Sequence, residues 1–191
     1  MANISILGTG NMGQAIGGLV AKGGNTVQQL NTSSAGEAVT GDIVVLAVPH
    51  SALADIVATR GDQLAGKIVV DLTNPVDLAT FDNLTVPADG SAAAELAKEL
   101  PQSKVVKAFN TNFAGTLATG SVGSETTAVL IAGDDADAKA AVAEFVSAAG
   151  LRAVDAGSLK RARELESLAF LQISLAAGEK LSWNGGFAAV A

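Results

Sequence analysis

The chain has 191 residues, a formal net charge of −7, and 49% hydrophobic against 16% charged residues, a balance that excludes disorder and suits one domain with a substantial core. No Lys/Arg cluster relieves the acidity, which excludes a nucleic-acid partner, because neutralising phosphates needs dense positive charge. With no Cys, no Tyr and one His, disulfides, thiolate metal sites, thiol nucleophiles and a tyrosine acid are ruled out, no metal site is expected, and the chemistry must come mainly from a bound cofactor.

The opening MANISILG lacks the basic start and long apolar run of a secretory signal. No segment reaches the ~18 apolar residues of a membrane span, so a cytoplasmic protein with no membrane partner is expected. Residues 4–7 form a short β-rich run ending in Gly8, and Ile16, Leu19 and Val20 then recur at helical spacing over 13–22 until Gly23-Gly24 stops the helix. Gly17 and Gly18 inside that helix, each costing about 1 kcal/mol relative to Ala, argue for close packing. Residues 26–30 read as a second strand. DIVVLAV (42–48) is a continuous apolar run, as expected of a strand buried on both faces of a parallel sheet.

A helix follows Pro49 over 50–59, a buried strand over 67–72, and a chain break at Asn74-Pro75. Further on, 91–100 reads as helix, and 104–109 and 126–133 as strands. A helix over 134–149 carries acidic residues in its first turn, where they favour the helix dipole, and ends at Gly150. Residues 151–157 form a last strand. Ser158 is then expected to cap a long helix running through Leu165, Leu168, Leu171 and Leu175 towards Leu181. Alternating strands and helices predict an α/β, Rossmann-like three-layer sandwich with a mostly parallel sheet. One domain over 1–191 is expected: a dinucleotide-binding core, 1–133, and a C-terminal strand and helices, 134–191, that complete an acceptor cavity.

Gly8-Thr9-Gly10-Asn11-Met12-Gly13 has glycines at its first, third and sixth positions, between a buried strand and a helix. Gly8 would permit the tight turn, Gly10 the close approach of a pyrophosphate, and Gly13 helix–strand packing, while the helix N-terminus offers N–H groups to the phosphate. An NAD site usually carries an acid after the second strand to bind the ribose 2′-hydroxyl. Here Leu30 is followed by Asn31-Thr32-Ser33-Ser34, which favours NADP and leaves NAD open. A plain polar turn is the competing reading of those four residues.

ILGTGNMG, DIVVLAVPHSAL, KIVVDLTNP, KVVKAFNT and VDAGSLKRARELESL, in that order, resemble the NADPH-dependent deazaflavin (coenzyme F-420) reductase family, also called F-420-dependent NADP oxidoreductases, whose domain recurs in membrane metalloreductases. The resemblance covers nearly the whole chain. It implies that Gly8, Thr9, Gly10, Asn11 and Met12 hold the pyrophosphate side, and that Asn31, Thr32 and Ser33 match the 2′-phosphate positions, where relatives carry Ser-Arg-Arg. It further implies that the nicotinamide lies near Ala47-Val48-Pro49, with Val48, Pro49, His50 and Asn74 around its ribose and ring, and that Asn110 borders the second-substrate cavity, where relatives have His. Relatives also place a helix and a strand between the second strand and DIVVLAVP. Only residues 31–41 join them here, so that strand is expected to be deleted, leaving 26–30 as the sheet edge.

Hydride transfer between two ring cofactors asks little of side chains beyond placing the reacting atoms about 3–3.5 Å apart and keeping water out. The function expected is an NADP(H)-binding oxidoreductase with a deazaflavin, flavin or small acceptor, with His50 and Asn110 as catalytic candidates. A capping or surface role competes for His50. Arg161 and Arg163 read as solvated charges with an anion-binding alternative, and Asp71 and Asp155 as structural residues bonding loop amides. A non-enzymatic NADP-binding sensor is the main alternative. An enzyme like the pyrroline-carboxylate reductases or β-hydroxyacid dehydrogenases is a lesser one, because those need a further helical domain of about 100 residues, the size of a small domain in itself. The apolar stretches 165–181 and 187–191 point to a homodimer.

Overall fold

The computed structural model describes residues 1–190. Its main sheet runs in the order β2 (Thr26–Leu30), β1 (Asn3–Leu7), β3 (Ile43–Leu46), β4 (Ile68–Asp71), β5 (Lys104–Lys107), β8 (Ala128–Gly133) and β9 (Arg152–Gly157). The first five strands are parallel; β8 runs antiparallel to β5 and parallel to β9. A two-stranded ribbon, β6 (Ser121–Val122) and β7 (Glu125–Thr126), stands apart from it. The Rossmann-like α/β expectation holds.

Strand period and apolar runs explain the layering. Ile4, Ile6, Ile43 and Val45 face one side, against α1 (Asn11–Lys22), α4 (Ala114–Thr119) and α5 (Ala136–Ala148). Leu7, Val44, Leu46 and Val69 face the other, against α2 (Leu53–Leu64), α3 (Ala92–Glu99) and the start of α6 (Ala162–Ala177). Both faces of the inner strands are covered, so their sequences are continuously apolar. Each such Val, Leu or Ile contributes about 1.5–3 kcal/mol of burial. Phe109 stacks on Phe145 at 5.7 Å between ring centroids.

As expected, β2 is the sheet edge. Residues 31–42 contain no strand, only a 3-10 turn at Thr32–Ser34. Gln28 takes over part of the missing strand's bonding. Its Oε1 accepts from Thr40 N at 3.1 Å and from Ser5 Oγ at 2.6 Å, and its Nε2 donates to Ala38 O at 2.9 Å. From α2, Gln63 Oε1 accepts from Val39 N, and Arg60 donates to the carbonyls of Ser34 and Glu37.

Four local expectations change. Ser158 makes no capping bond; Asp134 Oδ1 instead accepts from Leu159 N at 2.9 Å, and a 3-10 turn precedes α6. That helix stops at Ala177, short of Leu181, where Glu179 takes the left-handed conformation (φ +59) and Lys180 N bonds Leu175 O. Gly17 does pack closely, against Gln29 and Ile6, but Gly18 is exposed with open space around it. The short α4 escaped periodicity, since six residues ended by left-handed Gly120 carry less than two turns of pattern.

Candidate functional site

The glycine loop joins β1 to α1 at the carboxyl end of the sheet, where β1 lies between β2 and β3. Gly8 has φ +117, and a Cβ there would collide with the Ala47 carbonyl. The chain is drawn in because Gly8 N bonds Leu30 O and Ala47 N bonds Leu7 O, both at 2.8 Å. A Cβ on Gly13 would strike the Gly8 carbonyl, so this glycine fixes how closely α1 approaches the turn. Gly10 differs: it is the N-cap, in extended backbone, with open space where a Cβ would project and no side chain capping the helix. The first-turn N–H groups of α1 therefore face outwards with the positive end of the helix dipole, an arrangement that suits an anion.

Next to this helix start lies a cavity of about 900 Å³. Asn11 and Met12 border it from α1, Val48, Pro49 and His50 from the end of β3, and Asn74 from the end of β4. Its far side is formed by Asn110 and Asn112 beyond β5, with Phe81, Phe113 and Trp183 among its apolar walls. Phe113 and Trp183 touch with ring centroids 4.9 Å apart. Of the predicted residues, the cavity thus gathers Asn11, Met12, Val48, Pro49, His50, Asn74 and Asn110. Gly8, Gly13 and Ala47 build the turn beneath it. Asn31, Thr32 and Ser33 are exposed and follow β2, whose last residue pairs with Leu7. Asn31 Oδ1 accepts from Ser33 N at 2.9 Å and Ser33 Oγ at 2.6 Å, so the polar turn is real and leaves the Asn31 amide nitrogen and the Thr32 hydroxyl as donors.

Asn110 sits differently from a hydrogen-bond donor to substrate. Its Nδ2 donates to Asn74 Oδ1 and to Leu165 O, both at 3.0 Å, while Asn74 Nδ2 donates to Asn110 O at 2.9 Å. The amide nitrogen is committed, and the buried Oδ1 has no partner. Asn112 repeats the pattern: its Nδ2 donates to Ala128 O, and its Oδ1 is buried and unpartnered, as is Thr73 Oγ1. All three residues border the cavity. A buried polar atom without a partner costs about 1–3 kcal/mol, and these three oxygens carry that cost just behind the cavity wall.

Beneath the cavity floor, Lys107 is fully buried on β5. Its Nζ reaches Asp71 Oδ2 at 2.8 Å, Thr73 O at 2.6 Å and Glu166 Oε1 at 2.7 Å, one acceptor for each ammonium proton. Glu166 also accepts from Ala92 N and Ala93 N, so the start of α3 offsets its charge. Asp71 Oδ1 accepts from Thr73 N at 2.8 Å, the loop-amide role expected of it. This network locks β4, β5, α3 and α6 together under Thr73 and Asn74. Sequence reasoning missed it, although two signals were present: a lysine inside an otherwise apolar strand, and Glu166 on the helix stripe of Ala162, Leu165, Ala169 and Gln172 that turns out buried.

Several other charged groups are peripheral. Asp155 bonds Lys139 at 2.8 Å and Gly157 N at 2.8 Å, and the Lys139 hydrogen bond, followed by the Gly157 amide, holds its carboxyl below the ordinary range. Arg161 and Arg163 pair with Glu164, whose carboxyl is lowered first by the Arg163 hydrogen bond. At the cavity rim, the Ala79 amide and then the Thr80 hydroxyl lower Asp77. Among the described residues no helix is long and apolar enough to cross a membrane, and no group of three or more His, Asp or Glu gathers as a metal site.

The family model described as NADP oxidoreductase, coenzyme F420-dependent, matches residues 25–75. The chain is 32% identical over 139 residues to the F420-dependent NADP reductase of Methanocaldococcus jannaschii, an alignment covering 71% of this chain and 62% of that protein. It is also similar to a crystal structure of a candidate F420-dependent NADP-reductase from Arthrobacter sp. FB24, with a TM-score of 0.85, 26% identity and full coverage of both chains. The chain is thus similar to F420-dependent NADP reductases over most of its length. It spans less than two thirds of the curated archaeal relative. It is also similar to part of a larger protein: metalloreductase STEAP3 of Rattus norvegicus is 41% identical over 107 residues, which is 56% of this chain and 21% of that one. The resemblance drawn from the five motifs is therefore borne out. Two features of this chain bear on the site: the short β2–β3 connection and Asn110, whose donors are already used.

Proposed function

We propose that this chain is an NADP(H)-dependent oxidoreductase that exchanges hydride between the nicotinamide and a deazaflavin- or flavin-type ring, working as one unit over residues 1–191. The observation that carries the reading is the continuity of an uncapped helix start at Gly10 with a 900 Å³ cavity bordered by residues that follow β3, β4 and β5. The residues present fit such a dinucleotide. The loop Gly8–Gly13 would hold its pyrophosphate against first-turn N–H groups. Asn31, Thr32 and Ser33 would meet the 2′-phosphate with donors and without a carboxylate. Ala47, Val48, Pro49 and Asn74 would surround the nicotinamide end.

When bound, the dinucleotide supplies a hydride at the nicotinamide, and an oxidised ring that takes it up also takes one proton from water. The chain's own part is positioning. Val48 and Pro49 give the ring a rigid apolar wall, and the Lys107 network keeps Thr73 and Asn74 in place below it. Phe81, Phe113 and Trp183 keep water away from the cavity, which strengthens the polar contacts inside. His50 borders the same space and offers an imidazole ring to a bound ligand. Asn110 is joined to Asn74 by two hydrogen bonds and so fixes that side chain at the cavity wall.

Exposed Leu171, Phe187 and Val190 support a homodimer, which sedimentation would report as twice the chain mass; Ala191 of the predicted 187–191 stretch lies outside the described residues. The deciding assay is NADPH oxidation with deazaflavin and flavin acceptors. Turnover with either supports the reading. Tight NADPH binding with no turnover across a broad acceptor panel would overturn it in favour of an NADP-binding sensor.

A further inference from the structure

Arg60, on the last turns of α2, is a buried cation with no counter-ion. It is 8% exposed. Its Nη1 donates to Glu37 O at 2.8 Å and its Nη2 to Ser34 O at 2.6 Å. Both partners are neutral carbonyls. The ion pairs of the described residues use Lys104, Lys107, Lys139, Arg161 and Arg163, never Arg60. A guanidinium removed from water without an opposite charge is costly, and buried charges are usually paired. Lys107 follows that rule with two carboxylates; Arg60 breaks it.

The position of the unpaired charge is informative. Ser34 closes the turn that begins at Asn31, since Ser34 N bonds Asn31 O at 3.0 Å. Arg60 therefore grips the underside of the turn whose exposed face carries Asn31, Thr32 and Ser33. By donating to the Ser34 carbonyl it orients that peptide with its positive end away from the guanidinium, and its own charge lies under an exposed turn. The turn itself contains no Lys or Arg.

We infer that Arg60 is the specificity-determining charge for the adenosine 2′-phosphate, supplying from beneath the turn, through the Ser34 and Glu37 carbonyls, the positive potential that the turn's own side chains lack. It is a positioning residue. The phosphate is the missing counter-ion, and α2 brings Arg60 against the short β2–β3 connection. The inference rests on the reading of Asn31, Thr32 and Ser33 as the 2′-phosphate contacts.

The test compares wild type with Arg60→Met, which keeps the aliphatic stem, and Arg60→Lys, which keeps the charge. Binding of adenosine 2′,5′-bisphosphate and of 5′-AMP is measured by calorimetry, and the kcat/KM ratio for NADPH over NADH is measured with one acceptor. Arg60→Met is expected to weaken the bisphosphate about tenfold and 5′-AMP less than twofold, lowering the NADPH/NADH ratio through KM, with kcat unchanged. Arg60→Lys is expected to recover at least half of that preference. Equal losses for both nucleotides, or a preserved NADPH/NADH ratio in a folded Arg60→Met protein, would overturn the inference and leave Arg60 as a loop anchor. Should Arg60→Met fail to fold, a NADPH/NADH preference in Arg60→Lys below one tenth of the wild-type value would count against it, because the charge is still present. Wild type that binds neither nucleotide overturns the dinucleotide reading itself, and this one with it.

Discussion

Replacing Gly10 by Ala separates what the glycine loop does for the fold from what it does for a ligand. Gly10 has φ −71 and ψ −173, and no atom lies within 4 Å of the point where its Cβ would sit. Alanine is at home in that backbone region. The substitution removes freedom from the unfolded chain, a gain of about 0.4–1 kcal/mol. Ala is a poorer N-cap than Gly by a similar amount, so Tm should stay within roughly 2 °C of wild type. The new methyl projects into the open space above the helix start, where a pyrophosphate would approach the backbone. Loss of that close approach should weaken NADPH by at least about tenfold, or ~1.4 kcal/mol. Gly13→Ala is the counterpart: its Cβ meets the Gly8 backbone, so it should destabilise the fold by about 1–3 kcal/mol as an overpacking change. Thermal melts and NADPH titration read by Trp183 fluorescence measure both. A Gly10→Ala protein that binds NADPH as tightly as wild type would refute the placement of the phosphates on this loop.

Three further outcomes follow from the same geometry. Lys107→Met strands the Asp71 and Glu166 carboxylates in the interior, where breaking such a pairing costs about 3–5 kcal/mol; calorimetry should show Tm falling on the order of 10 °C, and a fall below 2 °C would show that water enters to replace the ammonium. No Lys or Arg borders the acceptor cavity among the described residues, so riboflavin and FMN should be reduced with kcat/KM values within about threefold of each other, whereas a strong, salt-sensitive preference for FMN would mean that a cation reaches the acceptor's phosphate. Asp155, its carboxyl held low by Lys139 and the Gly157 amide, stabilises the folded state when ionised; that contribution is complete above the ordinary carboxylate range and is lost as pH falls through the depressed folded value. Tm measured against pH should therefore fall less steeply on the acid side in Asp155→Asn than in wild type, and parallel curves would show that the pair contributes nothing.

Much of the fold was readable because its determinants are local. Continuous runs such as IVVL and IVVD can only be strands covered on both faces, and the loss of a strand after β2 follows from chain length alone, as eleven residues cannot hold a helix and a strand. The glycine loop was readable for the same reason: its turn is built within a few residues. What escaped depends on contacts distant in sequence. Asn110 was located correctly, yet the direction of its amide is set by Leu165, 55 residues away, and by Asn74, 36 residues away. No local pattern distinguishes an asparagine that offers a donor from one that offers only an acceptor.

The same distinction explains the two buried cations. Lys107 and Arg60 both occupy positions that sequence alone reads as apolar strand or ordinary helix, and both are buried, but their surroundings differ in a way that tells their roles apart. Lys107 is fully matched, three donors to three acceptors with two carboxylates among them. A ligand could add nothing to it, so its effect is confined to holding the cavity floor. Arg60 has its fork anchored but its charge unanswered. A buried charge left without an opposite is an energetic debt in the free protein that a bound anion removes. Where the family resemblance implies arginines on the loop itself, this chain has a short loop without them and one cation underneath. A bound anion would answer that charge; without one, Arg60 does no more than anchor the loop.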